Sequence, residues 1–262
     1  MRFGTQNGPM NLLSRTGSAL SDVGKKRTSN EDAFFMDDEL GLYVVGDGMG
    51  GHAAGEIASQ EAVETVYGMV KSGVGKLNPL LDPIKEEDVF AACRLMESSI
   101  QAATYMVFSM AEMDRGKSGM GTTLSTMLIF GEYGVTAQVG DSRIYRVRGD
   151  SVEQLTEDHT LIAWQLKQGL ITPQEAKRSP HRNVITRAVG NRDYVQVDTG
   201  IVKLESGDRF LLCSDGLHGY LRDGDIPEIV GRGGAMAVRG FIDLANSRGG
   251  KDNITAILVE LD

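Results

Sequence analysis

Residues 44–51 read Val44-Val45-Gly46-Asp47-Gly48-Met49-Gly50-Gly51, and the architecture turns on what that stretch is. An apolar run ends in a glycine-rich turn carrying one carboxylate. Residues 53–70 then place Ile57, Ala58, Ala62, Val66 and Met69 close to helical spacing. Formally this is the glycine pattern of a dinucleotide-binding loop between a strand and a helix. Two observations argue against that reading. A pyrophosphate rests on backbone N–H groups at a helix start, where Asp47 would set like charge beside it. The middle of the chain also runs strand after strand, without the alternating units that such a site is built from.

Asp47 has counterparts. Asp141 lies in QVGDSR, Asp215 in LLCSDG and Asp252 in GGKDN, each beside or near a glycine, and the first two follow apolar runs. A single Asp-Gly or Gly-Asp pair is most simply a turn whose carboxylate caps local N–H groups. Repetition inside longer specific strings weakens that explanation. Carboxylates gathered in one place repel each other unless a cation lies between them, so convergence of these residues implies a hard divalent metal.

Whole-chain properties narrow the field. With 262 residues, 41% hydrophobic and 24% charged, the composition is that of an ordinary globule, and 33 glycines against 6 prolines predict many tight turns. The formal net charge of −9 opposes nucleic acid and anionic membranes as partners. No stretch reaches the about 18 apolar residues of a membrane span, and the N-terminus lacks a basic-then-apolar secretory pattern, so a cytoplasmic location is expected. Cys93 and Cys213 are the two cysteines and are expected to be buried free thiols.

Strands are predicted over residues 18–24, 33–36, 42–45, 122–130, 135–139, 144–147, 195–202, 210–213 and 254–261, and long helices over 53–70 and 86–113. Shorter helices are predicted over 159–168 and 235–245. Thr172-Pro173-Gln174-Glu175 offers a further helix start, with an N-cap, a proline at the first helical position and a capping-box glutamate. No repeat or linker interrupts the chain. The expectation is one domain over 1–262, with a leader at 1–15 and a flap at 160–184.

In order, the chain carries DVGKKRTSNEDAF, VVGDGMGGHAAGE, GMGTTL, VGDSRIY, LTEDH, ITRAVG, LLCSDGL and GGKDNIT. Together these strings resemble the metal-dependent protein phosphatases, the PPM or protein phosphatase 2C-like Ser/Thr phosphatases, and in particular their bacterial branch. The resemblance runs from about residue 18 to the C-terminus. It implies an α+β fold, a four-layer α/β/β/α sandwich of two antiparallel sheets flanked by helices, with a helical flap near the active site.

The resemblance also assigns roles. Asp47 would bridge two metal ions, the Gly48 carbonyl would help hold one, and Asp215 and Asp252 would ligate the other. Asp141, with Asp215, matches a third metal site of bacterial members. Arg27 falls at the phosphate-binding position, where its planar fork suits a phosphate dianion. Glu31 and Asp32 fall where the family orients metal-bound waters, and Asn253 would be a supporting group. An all-oxygen donor set favours Mn²⁺ or Mg²⁺ over zinc. The implied reaction is hydrolysis of phosphoserine and phosphothreonine by a water that two ions activate.

Many eukaryotic members carry a histidine after the Asp-Gly pair as general acid; this chain has Met49 there, so His52 or a metal-bound water is left to supply the proton. The flap holds Trp164, Lys167, Lys177, Arg178, His181 and Arg182. It reads equally as a basic selector of phosphoproteins or as an amphipathic lid with Trp164 packed on the body. Phosphorylated proteins and a cognate Ser/Thr kinase are the implied partners. The alternatives are a non-catalytic phosphoprotein-binding domain of the same fold and a hydrolase of small phosphoesters.

Overall fold

A computed structural model describes residues 13–50, 54–77, 84–181 and 183–262. His52 and Arg182 lie outside them, as does most of the expected leader, whose final residue, Arg15, opens the first strand. In chain order the strands are β1 (Arg15–Asp22), β2 (Asp32–Asp37), β3 (Leu42–Met49), β4 (Gly121–Thr122), β5 (Leu124–Phe130) and β6 (Tyr133–Val139). They continue with β7 (Arg143–Arg148), β8 (Ser151–Gln154), β9 (Asp198–Lys203), β10 (Arg209–Cys213) and β11 (Ile254–Leu261). The helices are α1 (Ala54–Val74), α2 (Glu86–Met113), α3 (Leu161–Lys167), α4 (Pro173–Arg178), α5 (Asp215–His218), α6 (Asp225–Val230) and α7 (Gly234–Ser247).

Two antiparallel sheets result. One runs β1-β11-β10-β7-β8 and the other β2-β3-β5-β6-β9, with β4 paired to β3. Side chains alternate across a strand, so a strand covered on both faces must be apolar at consecutive positions. In β3, Leu42 and Val44 pack with α1 and α2, including Ala58, Val66 and Ile100. Their neighbours Tyr43 and Val45 face the other way, meeting Phe210, Leu212, Ile257 and Val259 of the opposite sheet. On the far side Leu211, Ala256 and Leu258 pack with Val238, Phe241 and Ile242 of α7. Three cores therefore separate four layers, the arrangement the resemblance implied. Truncating the fully buried Phe241 to alanine should cost about 3–5 kcal/mol.

Helix α2 and strand β11 lie where their periodicity predicts them. Thr172 does cap α4: its Oγ1 accepts from the Glu175 N–H at 3.3 Å, and its own N–H donates to Glu175 Oε2 at 2.8 Å. Strand β8 was not predicted because all its side chains are exposed and its pairing with β7 is made by backbone. The expected strand over 122–130 is broken at Thr123. There the chain turns to Asp47, whose carbonyl accepts the Thr123 N–H at 2.9 Å and whose N–H donates to Thr123 Oγ1 at 3.0 Å.

Candidate metal and phosphate site

Strand ends bring the acidic residues to one end of the sandwich. Asp32 and Asp47 are register partners across β2 and β3. Asp141 lies in the β6–β7 turn, where the chain passes from one sheet to the other, and from the second sheet come Asp215 at the start of α5 after β10 and Asp252 just before β11. Gly48 sits where no side chain fits, since a Cβ would lie 2.2 Å from the Gly55 carbonyl oxygen and 2.4 Å from that of Glu31. Gly216 is equally constrained, its Cβ falling 1.9 Å from the Asn253 oxygen. These close backbone approaches are the reason for glycine after two of the aspartates.

Burial raises the Asp47 carboxyl well above its ordinary range, reinforced by the charges of Asp32, Asp215, Asp141 and Asp252. Asp32 is pushed up to about 7, first by burial, although hydrogen bonds from Thr255 and Ser214 pull it down. Asp141 is likewise raised to about 7 by burial and then by Asp215. Asp215 is raised by burial and by Asp252, which a hydrogen bond from Asp47 partly offsets. The aspartates thus sense one another. Among the described residues, no three acidic, histidine or cysteine side chains are drawn together tightly enough to close on one ion.

The donor set nevertheless fits hard cations. It is all oxygen, it is poor in compensating positive charge, and Asp32 Oδ1 is buried with no hydrogen-bond partner. Arg27 reaches this set, its Nη2 lying 2.9 Å from Asp252 Oδ2. Asn253 fixes the loop that carries it: Oδ1 accepts the Glu31 N–H at 2.8 Å, while Nδ2 donates to the carbonyls of Val23 at 3.0 Å and Ser29 at 2.8 Å. Burial raises the Glu31 carboxyl, while Arg27 opposes the rise.

Several supporting residues have no role that the sequence assigns them. Arg143 does not pair with its neighbour Asp141 but grips Asp158 with two bonds of 2.8 and 2.6 Å. His218, its pKa pushed down to about 4 by burial, is neutral and donates Nε2–H to the Asp141 carbonyl at 2.9 Å. His159 is a buried ring that bridges two loops. Its Nδ1 accepts the Gly140 N–H at 3.1 Å, so in the neutral ring Nε2 donates to Asp198 at 3.0 Å, and Arg187 meets the same carboxylate at 2.6 Å. The signal was present only as isolated polar residues, because their partners are distant in sequence.

Asp141, Asp215 and Asp252 line a cleft of about 730 Å³ whose other wall is built from the flap, including Ile162, Leu166 and Lys177. Trp164 points outward and is 51% exposed, which overturns its packing on the body. Lys167 is engaged with Glu157 at 2.7 Å.

Such a sandwich, with carboxylates from both sheets at one end, defines a class of metal-dependent phosphatases. The chain belongs to the protein phosphatase 2C family, whose profile matches residues 24–255. It is 37% identical over 252 residues to protein phosphatase PhpP of Streptococcus pneumoniae, covering 94% of this chain and 97% of that protein. Its structure resembles the Mycobacterium tuberculosis serine/threonine phosphatase PstP/Ppp with a TM-score of 0.84 and 32% identity, covering 96% and 100% of the two chains. It also resembles the PstP catalytic domain solved with two manganese ions, with a TM-score of 0.80, 31% identity and coverage of 95% and 99%.

Proposed function

We propose that the aspartate end of the sandwich is the catalytic centre through which this chain acts as a metal-dependent protein serine/threonine phosphatase. The activity and its dependence on Mn²⁺ or Mg²⁺ follow from the family and from the named phosphatases it is similar to. The finer reading is the division of roles among its own residues, within one catalytic unit spanning the chain. The observation that carries it is that Asp141, Asp215 and Asp252 line one open cleft, with Arg27 at 2.9 Å from Asp252.

Asp47, the Gly48 carbonyl, Asp215 and Asp252 are assigned to hold two ions, and Asp141 is needed only for a third. When bound, the ions supply Lewis acidity and a water acidic enough to attack phosphorus near neutral pH. Arg27 receives the phosphate dianion, and its guanidinium offsets charge on the phosphoryl oxygens. Glu31 and Asp32 would accept hydrogen bonds from water at the site and so orient it for in-line attack. The leaving alkoxide takes its proton from His52 or from water.

The flap wall makes the cleft broad enough for a peptide segment, and Lys177 and Lys251 on its lining favour an acidic phosphopeptide. A cognate Ser/Thr kinase as partner and a cytoplasmic setting complete the proposal. No helix among the described residues is long and apolar enough to cross a membrane.

The deciding assay is phosphate release from a phosphothreonine peptide, a phosphotyrosine peptide and an aryl phosphate, with Mn²⁺, Mg²⁺ or chelator, for wild type and Asp47→Asn. Metal-dependent turnover of the phosphothreonine peptide that collapses in the variant is expected. Turnover that survives both chelation and the substitution sinks the proposal, and turnover of the aryl phosphate alone supports the small-phosphoester reading.

A further inference from the structure

Asp32 is held by a set of side chains to which the reading above gives no role. Its Oδ2 accepts from Ser214 Oγ at 2.8 Å and from Thr255 Oγ1 at 2.7 Å, both reaching across from the opposite sheet. An ionised Asp32 carboxylate can only accept, and that fixes the direction of the hydroxyl hydrogens. Ser214 Oγ accepts the Thr255 backbone N–H at 3.0 Å through a lone pair, and its hydroxyl hydrogen goes to Asp32. Thr255 has one hydroxyl hydrogen, and it too points at Asp32. The 2.7 Å contact between Thr255 Oγ1 and Ser21 Oγ must then run from Ser21 to Thr255.

One step further out, Asn30 Nδ2 donates to Ser21 Oγ at 2.8 Å, and Asn30 Oδ1 accepts the Asp32 N–H at 3.2 Å. The bonds form a closed, one-directional ring: Asp32 to Asn30, Asn30 to Ser21, Ser21 to Thr255, and Thr255 back to Asp32. Every position in it is satisfied except one, because Asp32 Oδ1 is buried and unpartnered. Two hydroxyl donors on Oδ2 keep any proton or further donor off that oxygen. Oδ1 is left as the carboxylate's single open acceptor, on the residue that stands opposite Asp47.

We infer that Thr255, Ser214, Ser21 and Asn30 are positioning residues that clamp Oδ2 of Asp32 and present its Oδ1 to the metal-bearing end of the sandwich. This deepens the functional reading and rests on it. The ring joins β1, the turn before β2, β2 and the start of β11, and Ser214 adds the residue after β10, so together they tie the two sheets at that end. A fully satisfied polar ring holds one geometry, whereas a broken one leaves buried groups to re-pair and the carboxylate free to rotate.

The test is a double-mutant cycle read in Mn²⁺ affinity, by calorimetric titration of the chelator-treated full chain, with kcat on a phosphothreonine peptide as a second readout. Thr255→Val keeps the shape and removes the hydroxyl, and should weaken Mn²⁺ binding roughly 10-fold. Thr255→Ser restores the donor and should recover affinity to within about 2-fold of wild type. In an Asp32→Asn background, Thr255→Val should add less than about 2-fold, because its effect is exerted through Asp32. Ser21→Ala, which removes a donor one step from the carboxylate, should give a smaller loss of the same kind and guards against misfolding of the valine variant. Equal losses from Thr255→Val in both backgrounds, or failure of the serine variant to rescue, overturn the inference. Wild type that fails to release phosphate with Mn²⁺ overturns the functional reading instead, and the affinity cycle still decides this one.

Discussion

Arg27 and Asp252, 225 positions apart in sequence, meet at 2.9 Å, a carboxylate assigned to metal holding the guanidinium assigned to phosphate. The pair is about half exposed, so its contribution to stability should stay within about 1 kcal/mol. Its functional weight should be larger. Arg27→Ala is expected to lower kcat/KM on a phosphothreonine peptide about 10–100-fold, the worth of hydrogen bonds to a charged group. Arg27→Lys keeps the charge but not the fork and should recover only part of that loss. Steady-state kinetics with a melting control would check both.

Asp141 provides a pH prediction. Its carboxyl stands at about 7 in the folded chain against 3.8 as the ordinary value, so between those limits the folded state binds more protons than the unfolded one. Stability is lost as pH rises from about 4 to about 7. In chelated protein, Asp141→Asn removes that loss, so its melting temperature should exceed wild type by at least about 2 °C more at pH 7.5 than at pH 5. Scanning calorimetry of both proteins at the two pH values measures the difference directly.

His159 ties the base of the flap to the turn that carries Asp141. It bonds Gly140 through ring and backbone, and its carbonyl accepts the Thr186 N–H at 2.8 Å. His159→Ala leaves the buried Gly140 N–H without its ring partner and should cost about 1–3 kcal/mol. Hydrogen exchange should quicken over residues 160–184 more than over β11. Uniform quickening would show that the clamp is global rather than specific to the flap.

Gly216 tolerates no side chain, because an added Cβ would lie 1.9 Å from the Asn253 oxygen. Gly216→Ala should displace Asn253, loosen the loop that carries Arg27 and lower both melting temperature and kcat/KM, the latter at least about 10-fold. An alanine variant with wild-type kinetics would show that the backbone there yields without cost.

Much of this protein is legible in its sequence because the causes are local. Consecutive burial in residues 42–45 and 254–261 is written as continuous apolar runs, the capping box at Thr172 is four residues long, and the eight strings in order carry the resemblance to the family. Strand β8 escaped because its pairing is carried by backbone groups common to every sequence. Only the tertiary structure decided that Arg143 grips Asp158 rather than Asp141, that His159 clamps Gly140, and that Ser21, Asn30, Ser214 and Thr255 converge on Asp32. Those bonds join positions up to 234 residues apart, and a lone serine or threonine looks the same in a string whether it faces solvent or a buried carboxylate. The sequence by itself determined which chemistry the chain carries. The closure of two sheets on each other decided which hydroxyls, amides and rings hold that chemistry in place, because hydrogen bonds are set by distance and direction in space rather than by order along the chain.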